Sequence, residues 1–543
     1  MKRFFYFISY TIILILVSCS WQAEETKEAT QDFLGIVVAD EPYTIQVASD
    51  ILKAGGTAAD AAAAAYFTMT VTMPSSVGLG GGGICLVHYA AKPKDKKPAR
   101  TESINFLPYT LNEQANLGQP GAIRGMAALH ARYGDLKWQE VVIPAENLAR
   151  KGFKVSRALA REILTADNYL RQDPATSAVF TKVDGTLLDE GSMLVQPALA
   201  DVLGGLRARG ANDFYIGLLA KQIGEAAQAS NIPITSELLA SVKPNFVDTI
   251  KLELGRNMVH FASPPAANGL FEAQFLLMLQ SGHGFLTSGL YQGAREDEKP
   301  HIFVELLKRA YVEESRWLNQ NGDITAPSIE KLLDEDYIDN LVEGISHTKM
   351  TPLSSLTDQP INQDQNPWAA GFVIADAEGM AIACNFTMNA LFGNGHVIPG
   401  LGILWSSAAG KNGDGYNALG PALVVNGYSG AFHYGTSASG GATAASSLIY
   451  VLMQTNVLDK KLNQVIGNPR LHYSTVGDVV LYEENEKESV LESLKQHGHN
   501  LDQGGIVGRV NAIWCPEGLP GKEQSCEVAS DPRGNGLGVI VVD

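Results

Sequence analysis

The chain has 543 residues, 45% hydrophobic and 18% charged, which is enough apolar material for a large core and too much for a disordered polypeptide. Its 41 basic against 58 acidic residues give a formal charge of −17 with no run of Lys or Arg, so a phosphate-neutralising surface, and with it nucleic acid as a partner, is excluded from the expectations. Fifty-four glycines without a collagen-like period point to tight turns and close backbone contacts in one large domain or two intimate ones.

Lys2 and Arg3 open a short basic stretch, and Phe4 to Val17 form an apolar run shorter than the ~20 residues that cross a bilayer, so residues 1–18 are expected to be an export signal. The run ends in Leu16-Val17-Ser18-Cys19, which resembles a bacterial lipobox. Cys19 is therefore the expected lipidation site and first mature residue; an ordinary signal with a chance cysteine is the alternative. Removing residues 1–18 takes away two positive charges and no acid, which leaves the acyl chains as the anchor. Ser20, not Asp, follows the cysteine, and the expected place is the bacterial cell envelope, at the outer membrane facing the periplasm. Residues 19–33, polar from Ser20 to Asp32, read as a tether.

In an oxidising periplasm, Cys515 and Cys526, which flank the Pro/Gly-rich CPEGLPGKEQSC, are an expected disulfide. Cys85 and Cys384 lie in apolar runs and are expected as buried free thiols. There is no CxxC, HExxH or Cys/His cluster at metal spacing, and neither a metal nor a cofactor is predicted.

Apolar residues recur at Ile45, Ala48, Ile51 and Leu52, a helical period stopped by Gly55-Gly56, and Ala58 to Thr70 reads as a buried helix. Pro74 to Gly83 is a glycine loop leading into a strand at Ile84–Tyr89. It lacks the Lys-Ser/Thr of a phosphate loop, so close backbone packing is the expectation. Helical patterns follow at Gly125–Tyr133, Trp138–Lys151, Pro197–Arg209, Asp213–Ala229, Phe271–Leu279 and Ile302–Leu318. Beyond Trp368 the texture changes to short apolar runs split by turns: Phe372–Ala375, Met380–Phe386, Gly402–Trp405, Ala422–Val425 and Ala431–Gly435. Helices layered on strands, strand-rich late in the chain, predict an α+β fold.

Six segments in order, ILKAGGTAADAAAAA, PSSVGLGGGGICLV, GQPGAIRGMAALHARYGDLKWQEVVIPAENLARKGF, QPALADVLGGLRARGANDFYIGLLA, FGNGHVIPGLGIL and ASDPRGNG, resemble the gamma-glutamyltransferase (gamma-glutamyltranspeptidase) family over nearly all of residues 35–543. The resemblance implies a four-layer αββα N-terminal-nucleophile hydrolase sandwich with antiparallel sheets, self-cleavage into two subunits, and transfer or hydrolysis of the gamma-glutamyl group of glutathione and similar peptides. It divides this chain into a region equivalent to the large subunit, 34–368, and one equivalent to the small subunit, 369–543.

That chemistry needs a Thr at the head of the small subunit, whose hydroxyl attacks first the preceding carbonyl and then the gamma-glutamyl carbonyl. Counting back without gaps from Thr387, Asn389 and Phe392-Gly393 puts Ala369-Ala370-Gly371 on the family's Thr-Thr-His triplet, and Ala369 has no hydroxyl. Pro360 to Asp376 holds no Ser, Thr or Cys, so no shift of alignment supplies one; Thr357 and Cys384 lie off the strand head. The family's carboxylate-binding Arg aligns with Ile104 of Ser103-Ile104-Asn105, its amino-group Asp falls near Lys411, and its Ser-Ser pair aligns with Asn417-Ala418. The resemblance keeps Gly440-Gly441 as the glycines of the oxyanion hole and Thr387 and Asn389 as braces of the nucleophile; a tight strand-to-helix turn and backbone caps explain them equally well. His433, His396 and His260 stand in no motif with a nucleophile, and surface or core roles are expected for them.

Three functions follow. The first is an uncleaved, catalytically silent lipoprotein that binds a small molecule or peptide; its relic pocket is Ala369, Thr387, Asn389, Gly440, Gly441 and Ile104. The second is an enzyme with a rebuilt pocket and altered donor specificity. The third is a structural partner of an active paralogue.

Overall fold

The computed structural model describes residues 32–90, 98–281, 290–319, 324–325, 328–361, 363, 366–410 and 415–543. The export signal, Cys19, nearly all of the tether and Lys411 lie outside the described residues. In chain order the elements that frame the site are β1 (Phe33–Ala39), α1 (Pro42–Lys53), α2 (Ala58–Thr72), β2 (Gly82–Tyr89), β3 (Arg100–Phe106), α3 (Ala122–Tyr133), α4 (Trp138–Lys151), α5 (Pro197–Arg209), β4 (Asn245–Val247), β5 (Ile250–Leu254) and β6 (Asn257–Phe261). They are followed by α6 (Ala267–Gln280), α7 (Lys299–Trp317), β7 (Ala369–Asp376), β8 (Ala381–Thr387), β9 (Ala422–Asn426), β10 (Phe432–Ser439), α8 (Ala442–Leu452), β11 (Arg509–Leu519), β12 (Glu527–Ser530) and β13 (Leu537–Val542). No described helix is long and apolar enough to cross a membrane.

A seven-stranded sheet has the order β13-β1-β7-β8-β2-β3-β4 and a six-stranded sheet the order β12-β11-β10-β9-β6-β5, and neighbouring strands in both are antiparallel. The central strands are buried on both faces, which is why AAGFVIAD and AIACNFT read as continuous apolar runs without alternation. Side chains alternate between faces along each strand. On β7, Ala370, Phe372 and Ile374 join a core with α1 to α5, whereas Ala369, Val373 and Ala375 meet Leu423, Phe432 and Ile513 of the second sheet. The second sheet's outer face packs on α6, α7 and α8 through Val424, Tyr434, Leu270, Leu306 and Leu448. These three cores separate four layers, αββα.

Local chemistry fixes the frame. Thr57 and Asp60 form a reciprocal cap at the start of α2, and the all-small segment after it lets that helix lie buried along its whole length. The β7–β8 turn closes at Gly379, whose φ of 85° favours glycine; Asp376 accepts from Met380 N at 2.9 Å and from Ala58 N at 2.9 Å, tying the turn to α2.

Several expectations need correction. Phe33, assigned to the tether, pairs with Val542 as the first residue of β1. The expected helix Asp213–Ala229 is broken at Gly217 into Asp213–Ile216 and Leu218–Ala229. Cys85 and Cys384 are disulfide-bonded, not free thiols: they face each other in the β2–β8 register, Cα atoms 4.1 Å apart. Cys515 and Cys526 form a second disulfide.

Candidate functional site

Ala369 is the first residue of β7, 5% exposed, with its methyl in the layer between the sheets. It stands opposite Thr387 in the β7–β8 register. Thr387 Oγ1 donates to Trp368 O at 3.1 Å, the carbonyl immediately before Ala369, and accepts from Asn389 N at 2.9 Å. Asn389 has φ 60°, a conformation that asparagine tolerates better than most residues. Its Nδ2 donates to Pro108 O at 2.7 Å and Ser407 O at 3.0 Å, and Asn366 Nδ2 donates to its carbonyl. Thus the carbonyl before Ala369, where the sequence resemblance leads one to expect the cleavage point, is held and polarised, with an alanine methyl beside it.

The second sheet supplies the opposite wall. A side chain at Gly435 would meet Val373 at 2.8 Å, and one at Gly371 would meet Ser437 Oγ at 2.9 Å. β10 therefore runs antiparallel over β7, and the next step in this stacking sets Ser439 across from Ala369. Gly440 (φ 140°) and Gly441 (φ 61°) follow, and Gly441 stands at the cap position before α8, with no side chain capping the helix. Their conformation is one that side-chain-bearing residues rarely adopt. A Cβ on Gly440 would also lie 2.9 Å from Gly508 Cα, so the glycine pair is needed for packing whatever its chemistry.

Ile104 is not brought to this layer. It is fully buried opposite Cys85, on the face of β3 that packs toward the helices; Asn105, paired with Ile84, faces the second sheet and donates to Tyr109 OH at 2.9 Å. A one-residue step inverts the face of a strand, which is how alignment alone misplaces this side chain. Asn417 O accepts from Asn268 N at 3.1 Å and Ala418 O from Asn268 Nδ2 at 2.6 Å, so that pair is tied to α6 by its backbone. His260 Nδ1 bonds Thr249 Oγ1 at 2.7 Å.

Sequence reasoning missed Asp40, Ser439 and Arg509. Asp40 is buried at the end of β1, accepting from Gly371 N at 2.8 Å and Asn511 Nδ2 at 3.0 Å; burial raises its carboxyl above the ordinary range, against the pull of Arg509. Register with residues at least seventy positions away was the missing signal.

A match to the gamma-glutamyltranspeptidase family model covers residues 44–412 and 415–541. The chain belongs to the gamma-glutamyltranspeptidase family. Among its relatives, the glutathione hydrolase proenzyme of Pseudomonas aeruginosa is 27% identical across 93% of this chain and 94% of its own length. That of Escherichia coli is also 27% identical, across 92% and 90%. The crystal structure of cephalosporin acylase from Bacillus halodurans superposes with a TM-score of 0.75 at 22% identity, covering 97% of this chain and 99% of that one, and so shares the fold. In this gamma-glutamyltranspeptidase-family chain an alanine stands at the head of β7.

Proposed function

We propose that this gamma-glutamyltranspeptidase-family chain is a lipoprotein that stays uncleaved, lacks the usual gamma-glutamyl transfer and hydrolysis, and acts in the bacterial envelope as a periplasm-facing binding or partner protein. The observation that carries this reading is Ala369 opposite Thr387: where a hydroxyl is needed to attack the Trp368 carbonyl, there is a methyl group. The absence of Ser, Thr and Cys from Pro360 to Asp376 supports it, since no neighbour can take over by a register slip.

The test is the intact mass of the purified mature chain, a denaturing gel run with reductant, and incubation with a chromogenic gamma-glutamyl amide. One unbroken polypeptide and no chromophore release are expected. Two fragments meeting between positions 368 and 369, or steady release of chromophore, overturn the reading. Lipidation is checked separately: Cys19→Ala is expected to move the protein from the membrane to the soluble fraction.

A further inference from the structure

Although the family's nucleophile is missing, this end of the sandwich is chemically unfinished in another way. Ser439, the last residue of β10, is 2% exposed, and its Oγ has no hydrogen-bond partner among the described residues. Burying a hydroxyl without a partner costs about 1–3 kcal/mol, so its presence asks for a partner that the chain does not provide. Its direction follows from the stacking of Ser437 on Gly371: two residues further on the same face, Ser439 points toward the head of β7.

Ser439 is paired in register with Arg509, the first residue of β11, so the two side chains share a face. Arg509 is half-buried, and its one hydrogen bond among the described residues is from Nη2 to Pro367 O at 3.5 Å, two residues before Ala369. A guanidinium carries five N–H donors, and most of these are left over. Two buried acids feel its charge: Asp40 has both oxygens engaged by Gly371 N and Asn511 Nδ2, and Glu162 accepts from Ser75 Oγ. Next to Ser439, α8 starts without a side-chain cap, so its first turn adds the positive end of a helix dipole.

We propose that Ser439 and Arg509, beside the uncapped start of α8, form a receptor for the carboxylate of a small molecule. The receptor gives the chain, read above as a binding protein, its class of ligand. The planar fork of Arg509 matches a carboxylate, the Ser439 hydroxyl donates to it, and the helix end favours its charge; a neutral analogue leaves the guanidinium unpaired. The anion-binding role that Ile104 cannot perform on β3 is taken over at the joint of β10 and β11.

The test uses the mature full-length protein with glutarate as probe, glutaramide as its neutral match and sulfate as a non-planar anion, read by calorimetry and thermal melting. Glutarate is expected to bind and raise the melting temperature, glutaramide to do neither, and sulfate to bind at least about tenfold more weakly. Arg509→Gln is expected to weaken glutarate binding by about tenfold or more, and Arg509→Lys, which keeps the charge without the fork, by less. Ser439→Ala is expected to weaken it several-fold while leaving the ligand-free melting temperature unchanged or raised, because no partner is lost. Indifference to glutarate, equal binding of glutaramide or sulfate, unchanged affinity in Arg509→Gln, or a lowered ligand-free melting temperature in Ser439→Ala each overturns the receptor. An inert, uncleaved chain that ignores glutarate refutes the receptor alone; a chain that turns over the gamma-glutamyl amide yet binds glutarate through Arg509 refutes only the binding-protein reading.

Discussion

Replacing Asn389 separates a brace from a vestige. In Asn389→Ala two costs add. Pro108 O and Ser407 O, which the Asn389 amide now bonds at 2.7 and 3.0 Å, lose a donor inside the protein, at about 1–3 kcal/mol for each group left unpaired. The backbone at φ 60° must also be held in the left-handed region by a residue with a Cβ and no local hydrogen bond, which costs about 1–2 kcal/mol. A loss of about 3–8 kcal/mol is expected in total. Asn389→Gly loses the same hydrogen bonds but not the steric penalty, and should be about 1 kcal/mol less destabilised. Equilibrium denaturant titration of the three proteins, compared at matched slopes, gives both numbers. A loss under about 1 kcal/mol in both variants, or an alanine variant as stable as the glycine one, refutes the assignment of Asn389 as the clamp that holds Thr387 and the strand head in place.

Ala369→Thr puts a hydroxyl beside the Trp368 carbonyl that Thr387 already polarises, and slow self-cleavage between positions 368 and 369 is expected by intact-mass spectrometry; a chain unbroken after prolonged incubation shows the polarised carbonyl to be purely structural. The double variant Cys85→Ala, Cys384→Ala opens a cross-link between residues 299 positions apart and should lose about 6 kcal/mol under oxidising conditions, by the loop-closure estimate; an unchanged denaturation midpoint contradicts it. Burial pushes His472 down to about 4 from 6.5, so it is neutral in the folded chain and takes up a proton on unfolding between those values. Its contribution, about 3 kcal/mol, is therefore present above pH 6.5 and lost as pH falls toward 4, and His472→Gln should flatten the stability curve in that window. A slope unchanged by the substitution refutes the assignment.

The layering and the antiparallel pairing were legible because the family blocks run in order along the chain; Ala369, reached by counting back from Thr387 through Gly379, heads β7 and pairs with Thr387. The hairpin of β5 and β6 was not read, although Ile250, Leu252 and Leu254 alternate as a strand should; flanking helical patterns hid it. The Cys85–Cys384 bond was invisible for a different reason. Nothing local distinguishes a buried thiol from half of a disulfide, and only strand pairing across the middle of the chain brings the two together. Ile104 shows the limit of alignment by count, since the correct residue on a strand can still be on the wrong face. Ser439 and Arg509 carry no motif at all; what marks them is a missing hydrogen bond and a shared register, and neither exists before folding.

The seven-stranded sheet threads the first and last parts of the chain through each other: β1 lies between β7 and β13, and β7 and β8 lie between β1 and β2. Neither half can therefore exist as a folding unit, and the sheet stays open until the C-terminal strand arrives. A polypeptide ending even shortly before Leu537 would leave the Ile36-Val37-Val38 backbone of β1 as a bare apolar edge, the kind of surface on which chains stick to one another. Truncated products should accordingly be cleared or aggregate, and never accumulate as soluble fragments.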